Sequence, residues 1–231
     1  MIDEHYPLNS GIYSLAVLTS FLVGLFILKQ SKEEALSIVK VKYVLPVFLV
    51  GAIIGAKIPV ILSYGWHKEF FLTGKSYYGA LIGAFIAINI YKYVYKIKEH
   101  FGGRLVVPLA VGAGIGKIGC FFYGCCSGTE TDFFIKIQNV HGQYVHPVQL
   151  YESFFEFLMA AVFYCYYRKK AKMPPEAFLM YLLSYMIFRF LIEFIRIEPK
   201  VYLGLSVYQL MSIVFVPVFM FELFRRLRNA K

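Results

Sequence analysis

The chain has 231 residues, 59% of them apolar and only 16% charged, and its mean hydropathy is +0.61. An ordinary soluble domain carries about 25% charged residues, and a fold of this size in water cannot cover so much apolar surface with so little polar exterior. The composition excludes a plain soluble enzyme, a disordered chain and a disulfide-stapled secreted scaffold. An all-α, polytopic membrane protein remains. The net charge of +10 sits in short clusters between apolar runs, a topology signal with attraction to anionic membrane lipid and not a nucleic-acid footprint.

Seven runs approach the ~20 residues a helix needs to cross a bilayer, at about 11–28, 43–64, 76–95, 105–126, 147–167, 177–195 and 203–224. Helices are expected because lipid cannot satisfy an open strand's backbone. The first run follows Asp3 and Glu4 with no basic segment before it, so it reads as a span and not as a cleavable leader. Placing the C-terminus inside puts 16 of the 24 Lys and Arg residues in the inner segments, within 29–42, 92–104, 168–172 and 225–231. Only Lys68, Lys75, Lys136, Arg196 and Lys200 then lie outside, while Lys57, Lys117 and Arg189 fall within spans. This bias predicts N-terminus out and C-terminus in. No linker divides the chain, so residues 1–231 are expected to form a single integral membrane domain. The polar stretch 127–146 is a candidate cap over the outer side.

Glycine pairs Gly51/Gly55, Gly79/Gly83 and Gly112/Gly116 have the small-xxx-small spacing of close helix packing. The denser run through Gly112, Gly114, Gly116, Gly119, Gly124 and Gly128 predicts a bend or a place where a ligand meets backbone, since each glycine costs a helix about 1 kcal/mol.

Ionisable groups at membrane depth mark function by default. Lys117 reads either as the partner of a carboxylate on another helix or as a clamp for an anionic headgroup. Gln149, Glu152 and Glu156 recur at i, i+3 and i+7, which places them on one helix face. Tyr185, Arg189, Glu193 and Arg196 recur at i, i+4, i+8 and i+11, a second stripe. Within it Arg189 and Glu193 either neutralise each other or leave the guanidinium to bind phosphate bidentately. Lys57 is expected to snorkel, and Tyr77 and Tyr78, taken alone, to lie in an interfacial belt. Cys165 reads as a small hydrophobe. Cys120, Cys125 and Cys126 sit near Lys117, where a cation favours thiolate, and adjacent Cys125 and Cys126 lack the spacing of metal ligands.

Several of these stretches together resemble the prolipoprotein diacylglyceryl transferase family. His146-Pro147-Val148-Gln149-Leu150-Tyr151-Glu152 is similar to its HPxQLYE element, and Tyr185, Arg189, Glu193 and Arg196 to its YxxxRxxxExxR stripe. The stretch from Gly204 to Ser212, with Gln209, resembles its last-helix element, and Gly79-Ala80-Leu81-Ile82-Gly83 its third-helix glycine element. The resemblance implies transfer of the diacylglyceryl group of phosphatidylglycerol to the lipobox cysteine thiol of a prolipoprotein, in the inner membrane of a bacterium, without metal or cofactor. It implies catalytic roles for Tyr78, Glu152, Tyr185, Arg189 and Glu193. It implies substrate contacts for Lys117, Cys120, Gly128, His146, Gln149, Tyr151 and Arg196.

Two departures stand out. Where the family has RxGNFxNxExxG, this chain has Lys117, Gly119, Cys120, Phe121, Tyr123, Cys125 and Gly128. Where its third helix usually carries His, this chain has Tyr78. Either Tyr78 and Glu152 take over the proton handling, or the acceptor differs. A relative acting on another acceptor and a non-catalytic lipid-binding or transport protein are the other readings.

Overall fold

Apolar runs punctuated by Pro and Gly become long helices. In a computed structural model, residues 7–30, 43–67, 74–97, 102–139, 141–170 and 174–229 are described. Among them are seven α-helices: α1 (Pro7–Gln30), α2 (Val44–Tyr64), α3 (Tyr77–Val94), α4 (Gly102–Tyr123), α5 (Val148–Lys170), α6 (Ala177–Ile192) and α7 (Val207–Asn229). Two small antiparallel hairpins join them: β1 (Ile137–Gln138) with β2 (Tyr144–Val145), and β3 (Lys200–Tyr202) with β4 (Leu205–Ser206). Five helical stretches are long and apolar enough to cross a membrane: Gly11–Lys29, Val44–Tyr64, Gly102–Tyr123, Ala177–Ile195 and Val207–Arg228. Helices α3 and α5 match the other two expected runs but are more polar, α5 because it carries Glu152 and Glu156. Asp3, Glu4, Lys32, Lys40, Lys42, Lys68, Lys98, Lys172 and Lys231 lie outside the described residues.

Contacts divide the chain into two compact units. The first comprises Met1–Lys32, Phe101–Phe178 and Phe194–Ile197. In it α4 packs along both α1 and α5. The glycine run is what permits this, because its members point to two neighbours. A Cβ on Gly119 would stand 2.6 Å from Ala16 Cβ, one on Gly112 3.4 Å from Ser20 O, and one on Gly114 2.9 Å from the Phe157 ring. The helix runs unbroken to Tyr123, so these glycines serve helix packing and not the expected bend. The chain turns only at Gly124 and Cys126, both with positive φ (76° and 63°).

The second unit comprises Glu33–His100, Leu179–Glu193 and Glu198–Lys231. Its tightest seam is α2 against α3, where a Cβ on Gly55 would stand 2.3 Å from Gly79 O and one on Gly83 2.3 Å from Gly51 O. Backbone thus meets backbone, as the paired spacing predicts. Helix α3 begins with Ser76 as its N-cap, accepting from Gly79 N–H at 3.2 Å. Helix α7 begins with a capping box: Ser206 Oγ accepts from Gln209 N–H (3.3 Å) and Gln209 Oε1 accepts from Ser206 N–H (3.0 Å). Leu203 and Gly204, both at positive φ (50° and 71°), form the tight turn between β3 and β4. Lys57 Nζ reaches out of α2 to the connection before α3, donating to Gly74 O at 2.8 Å.

Candidate active site

In the first unit the site grows from the start of α5. Pro147 immediately precedes the helix, where a missing N–H costs nothing, and Val148 N–H reaches back to His146 O at 2.9 Å. The first three turns then bury Gln149, Glu152, Ser153 and Glu156 on one face, as their spacing requires. Ser153 Oγ donates to Gly114 O (2.9 Å) and Gln149 Nε2 to Cys125 O (2.5 Å), fastening α5 to α4 and to the turn beyond it.

Glu152 is fully buried. Lys117 of α4 forms a salt bridge with it, and Arg196 Nη1 donates to its Oε1 at 3.0 Å. Lys117 thus has a carboxylate partner on another helix. Arg196 gets there by backbone tethering. Gly128 forms an isolated β-bridge with Arg196, Thr129 N–H donates to Ile195 O (2.9 Å), and Gly128 N–H donates to His146 O (2.9 Å). Gly128 leaves no space for a side chain, since a Cβ would lie 2.7 Å from His146 Cβ, Ile195 O and Val148 Cγ2.

This corrects the four-residue stripe. Helix α6 ends at Ile192, Glu193–Ile195 is one turn of 3₁₀ helix, and Arg196 lies beyond it on extended backbone. The i, i+11 relation fails because the helix stops before reaching Arg196.

The remaining residues of this unit lie around the cluster. His146 and Tyr151 are half-buried, with Tyr151 O–H 3.2 Å from Ile135 O and 3.5 Å from His146 Nδ1. Cys120, Cys125 and Cys126 are free thiols, and Cys125 Sγ–H points at Cys120 O (3.7 Å). The stretch 127–146 carries the β1–β2 hairpin, in register Ile137↔Val145 and Gln138↔Tyr144.

In the second unit a buried group forms around Arg189. Its Nη2 lies 3.0 Å from Glu193 Oε2 and 3.7 Å from Glu198 Oε1. The self-neutralising Arg189–Glu193 pair is thus present, but shared with a carboxylate that periodicity did not single out. Tyr64 O–H donates to Glu198 Oε2 (3.0 Å), and Lys200 Nζ donates to Glu193 O (3.2 Å). The Tyr208 ring covers the guanidinium of Arg189.

Tyr78 is not a belt residue, and Tyr77 beside it is half-buried. Tyr78 is 1% exposed and its O–H bonds to Ser212 Oγ at 2.8 Å. Ser212 Oγ also lies 2.9 Å from Tyr208 O and 3.3 Å from Met186 O. Tyr77 shares a hydrogen bond with Tyr181 (2.7 Å), and Tyr185 packs edge-on against Tyr77. Gln209, already engaged in the capping box, has its Nε2 buried without a hydrogen-bond partner among the described residues, as has Oε1 of Gln149.

Sequence reasoning missed Glu198, Tyr181 and Tyr208. Glu198 was visible as a carboxylate near the end of an apolar run. Tyr208 carried no periodic signal, because its partner lies on another helix.

Buried ion pairs on long apolar helices define an integral membrane protein whose polar chemistry is kept away from lipid. A family model described as prolipoprotein diacylglyceryl transferase matches residues 4–225, and the chain belongs to that family. A phosphatidylglycerol–prolipoprotein diacylglyceryl transferase of Clostridium tetani is 29% identical, over 97% of this chain and 97% of its own length. One of Campylobacter hominis is 31% identical over 87% of this chain and 80% of its own. A phosphatidylglycerol–prolipoprotein diacylglyceryl transferase 2 of Clostridium perfringens is 36% identical over 62% of this chain and 59% of its own.

Proposed function

We propose that the chain transfers the diacylglyceryl group of phosphatidylglycerol to the lipobox cysteine thiol of prolipoproteins, the step that begins lipoprotein maturation. It does so as one multi-pass domain of seven spans in the inner membrane of a bacterium, with N-terminus out and C-terminus in. The observation that carries this reading is the family match over residues 4–225. The chemistry of the buried groups supports it.

The acceptor sulfur, as thiolate, forms a C–S bond to the glyceryl carbon that carries the phosphate ester. The C–O bond to phosphate breaks and glycerol phosphate leaves with the electron pair, while the thiol proton passes to a base. Negative charge on the leaving phosphate is best stabilised by cations already fixed in a dry site. Arg189 serves that role with two parallel donors, where a Lys supplies a point charge, and Lys117 and Arg196 contact substrate. Glu152 and Glu193 hold these cations in place and, with Tyr78 and Tyr185, handle the proton. Gln149 and Tyr151 contact the headgroup, while Cys120, Gly128 and His146 shape the approach of the acceptor peptide.

The test uses purified chain, labelled phosphatidylglycerol and a lipobox peptide. Labelling of the peptide thiol that Arg189→Ala reduces at least ~100-fold is expected, the scale of losing a charge-stabilising donor. Folded wild-type protein that leaves the peptide unlabelled would overturn the acceptor assignment, and lipid found on Cys120, Cys125 or Cys126 would name another.

A further inference from the structure

We infer that Tyr208 is a positioning residue for Arg189, holding the guanidinium in the plane from which it meets the phosphate of an anionic lipid headgroup. The inference rests on the proposed role of Arg189. Arg189 Cζ lies 4.3 Å from the Tyr208 ring centroid, well inside the roughly 6 Å within which a cation is attracted to an aromatic face. Both residues are buried, at 4% and 6% exposure, so water does not screen the attraction.

The geometry gives the ring a specific task. A guanidinium makes its hydrogen bonds in its own plane and stacks through its faces. An aromatic ring that holds Cζ over its own face restrains the guanidinium without consuming an acceptor-directed N–H. Glu193 and Glu198 pull on Nη2 from 3.0 and 3.7 Å. Ion pairs alone let the side chain rock between two carboxylates, whereas the ring confines it to a plane.

The ring itself is held. Tyr208 lies in the first turn of α7, which the Ser206–Gln209 capping box fixes. Ser212 donates to its carbonyl at 2.9 Å. Its ring meets the Tyr78 ring edge-on, with centroids 5.8 Å apart. The inference concerns the ring, which Tyr208→Phe retains.

The test compares Tyr208→Phe with Tyr208→Leu in the full chain, reconstituted in nanodiscs. Read out are binding of short-chain phosphatidylglycerol, the KM values for lipid and for lipobox peptide, and Tm. Tyr208→Phe should stay within about twofold of wild type on every measure, because the stacking face persists. Tyr208→Leu should raise the lipid Kd and KM about fivefold to tenfold while peptide KM and Tm hold. Equal losses in both variants, a parallel rise in peptide KM, or an unchanged lipid Kd in Tyr208→Leu would overturn the inference. If Tyr208→Leu does not fold, Tyr208→Met carries the same comparison. Wild type that binds the lipid yet transfers nothing sinks the proposed function and leaves the binding comparison to judge Tyr208. Wild type that transfers while Tyr208→Leu matches it sinks Tyr208 alone. Wild type that does neither overturns both.

Discussion

The two units bury charge in opposite ways. In the first, two cations, Lys117 and Arg196, converge on one carboxylate, Glu152. In the second, two carboxylates, Glu193 and Glu198, converge on one cation, Arg189, with an aromatic ring against its face. The central group of each cluster is the one whose loss strands its partners. The glycine seams differ as well. Between α2 and α3 the backbones touch, whereas Gly116, on the α1 side of α4, has nothing nearer its Cβ position than Ser20 Oγ at 3.8 Å.

The largest effect that can break this contrast is expected at Glu152. Glu152→Gln leaves buried Arg196 and half-buried Lys117 sharing a neutral amide and should cost about 3–5 kcal/mol, the scale of stranding buried charge. Glu193→Gln should cost less, since Arg189 keeps Glu198. Thermal unfolding in detergent reads both, and equal losses would abolish the distinction between the clusters. Next in size, Gly55→Ala must push α2 from α3 and should cost about 1–3 kcal/mol. Gly116→Ala should change stability by no more than a few tenths and can gain from helix propensity. Identical melting shifts in this pair would mean that the two seams are equally tight. Between these falls the helix start that distinguishes α7 from the proline-led α5. Ser206→Ala removes the cap hydroxyl and should cost about 1 kcal/mol, seen as a lowered Tm and faster amide exchange in the first turn of α7.

The long helices were legible because apolar length alone fixes them. The face of α5 that carries Gln149, Glu152 and Glu156 was legible because helical spacing holds across all three. The capping box at Ser206 and Gln209 was written in the sequence as S-x-x-Q, although resemblance drew attention to it first. Arg196 was misplaced because periodicity assumes that a helix continues. What ends α6 is followed by a non-local tether of residues 195–196 to 128–129, and no local pattern announces a pairing across that separation. Tyr77 and Tyr78 sit next to each other at a helix start, as belt residues do. Only the neighbours at Ser212 and Tyr181, from other helices, show that Tyr78 is interior and that Tyr77 is half-buried beside it.

The tether has a consequence for how this protein can be altered. The stretch 127–146 is tied down where Gly128 and Thr129 meet Ile195 and Arg196, and again where Gly128 and Thr129 meet His146. Its hairpin tip, around His141 and Gly142, is exposed and carries local bonds to Gln138 and Asn139. The tip is therefore free to grow, shrink or accept a graft, as exposed loop ends generally are. Gly128 is locked, because any side chain there would push Arg196 off Glu152. One loop thus offers a site for attaching a tag or reporter and, about a dozen residues earlier, a position where a single methyl group would undo the ionic cluster.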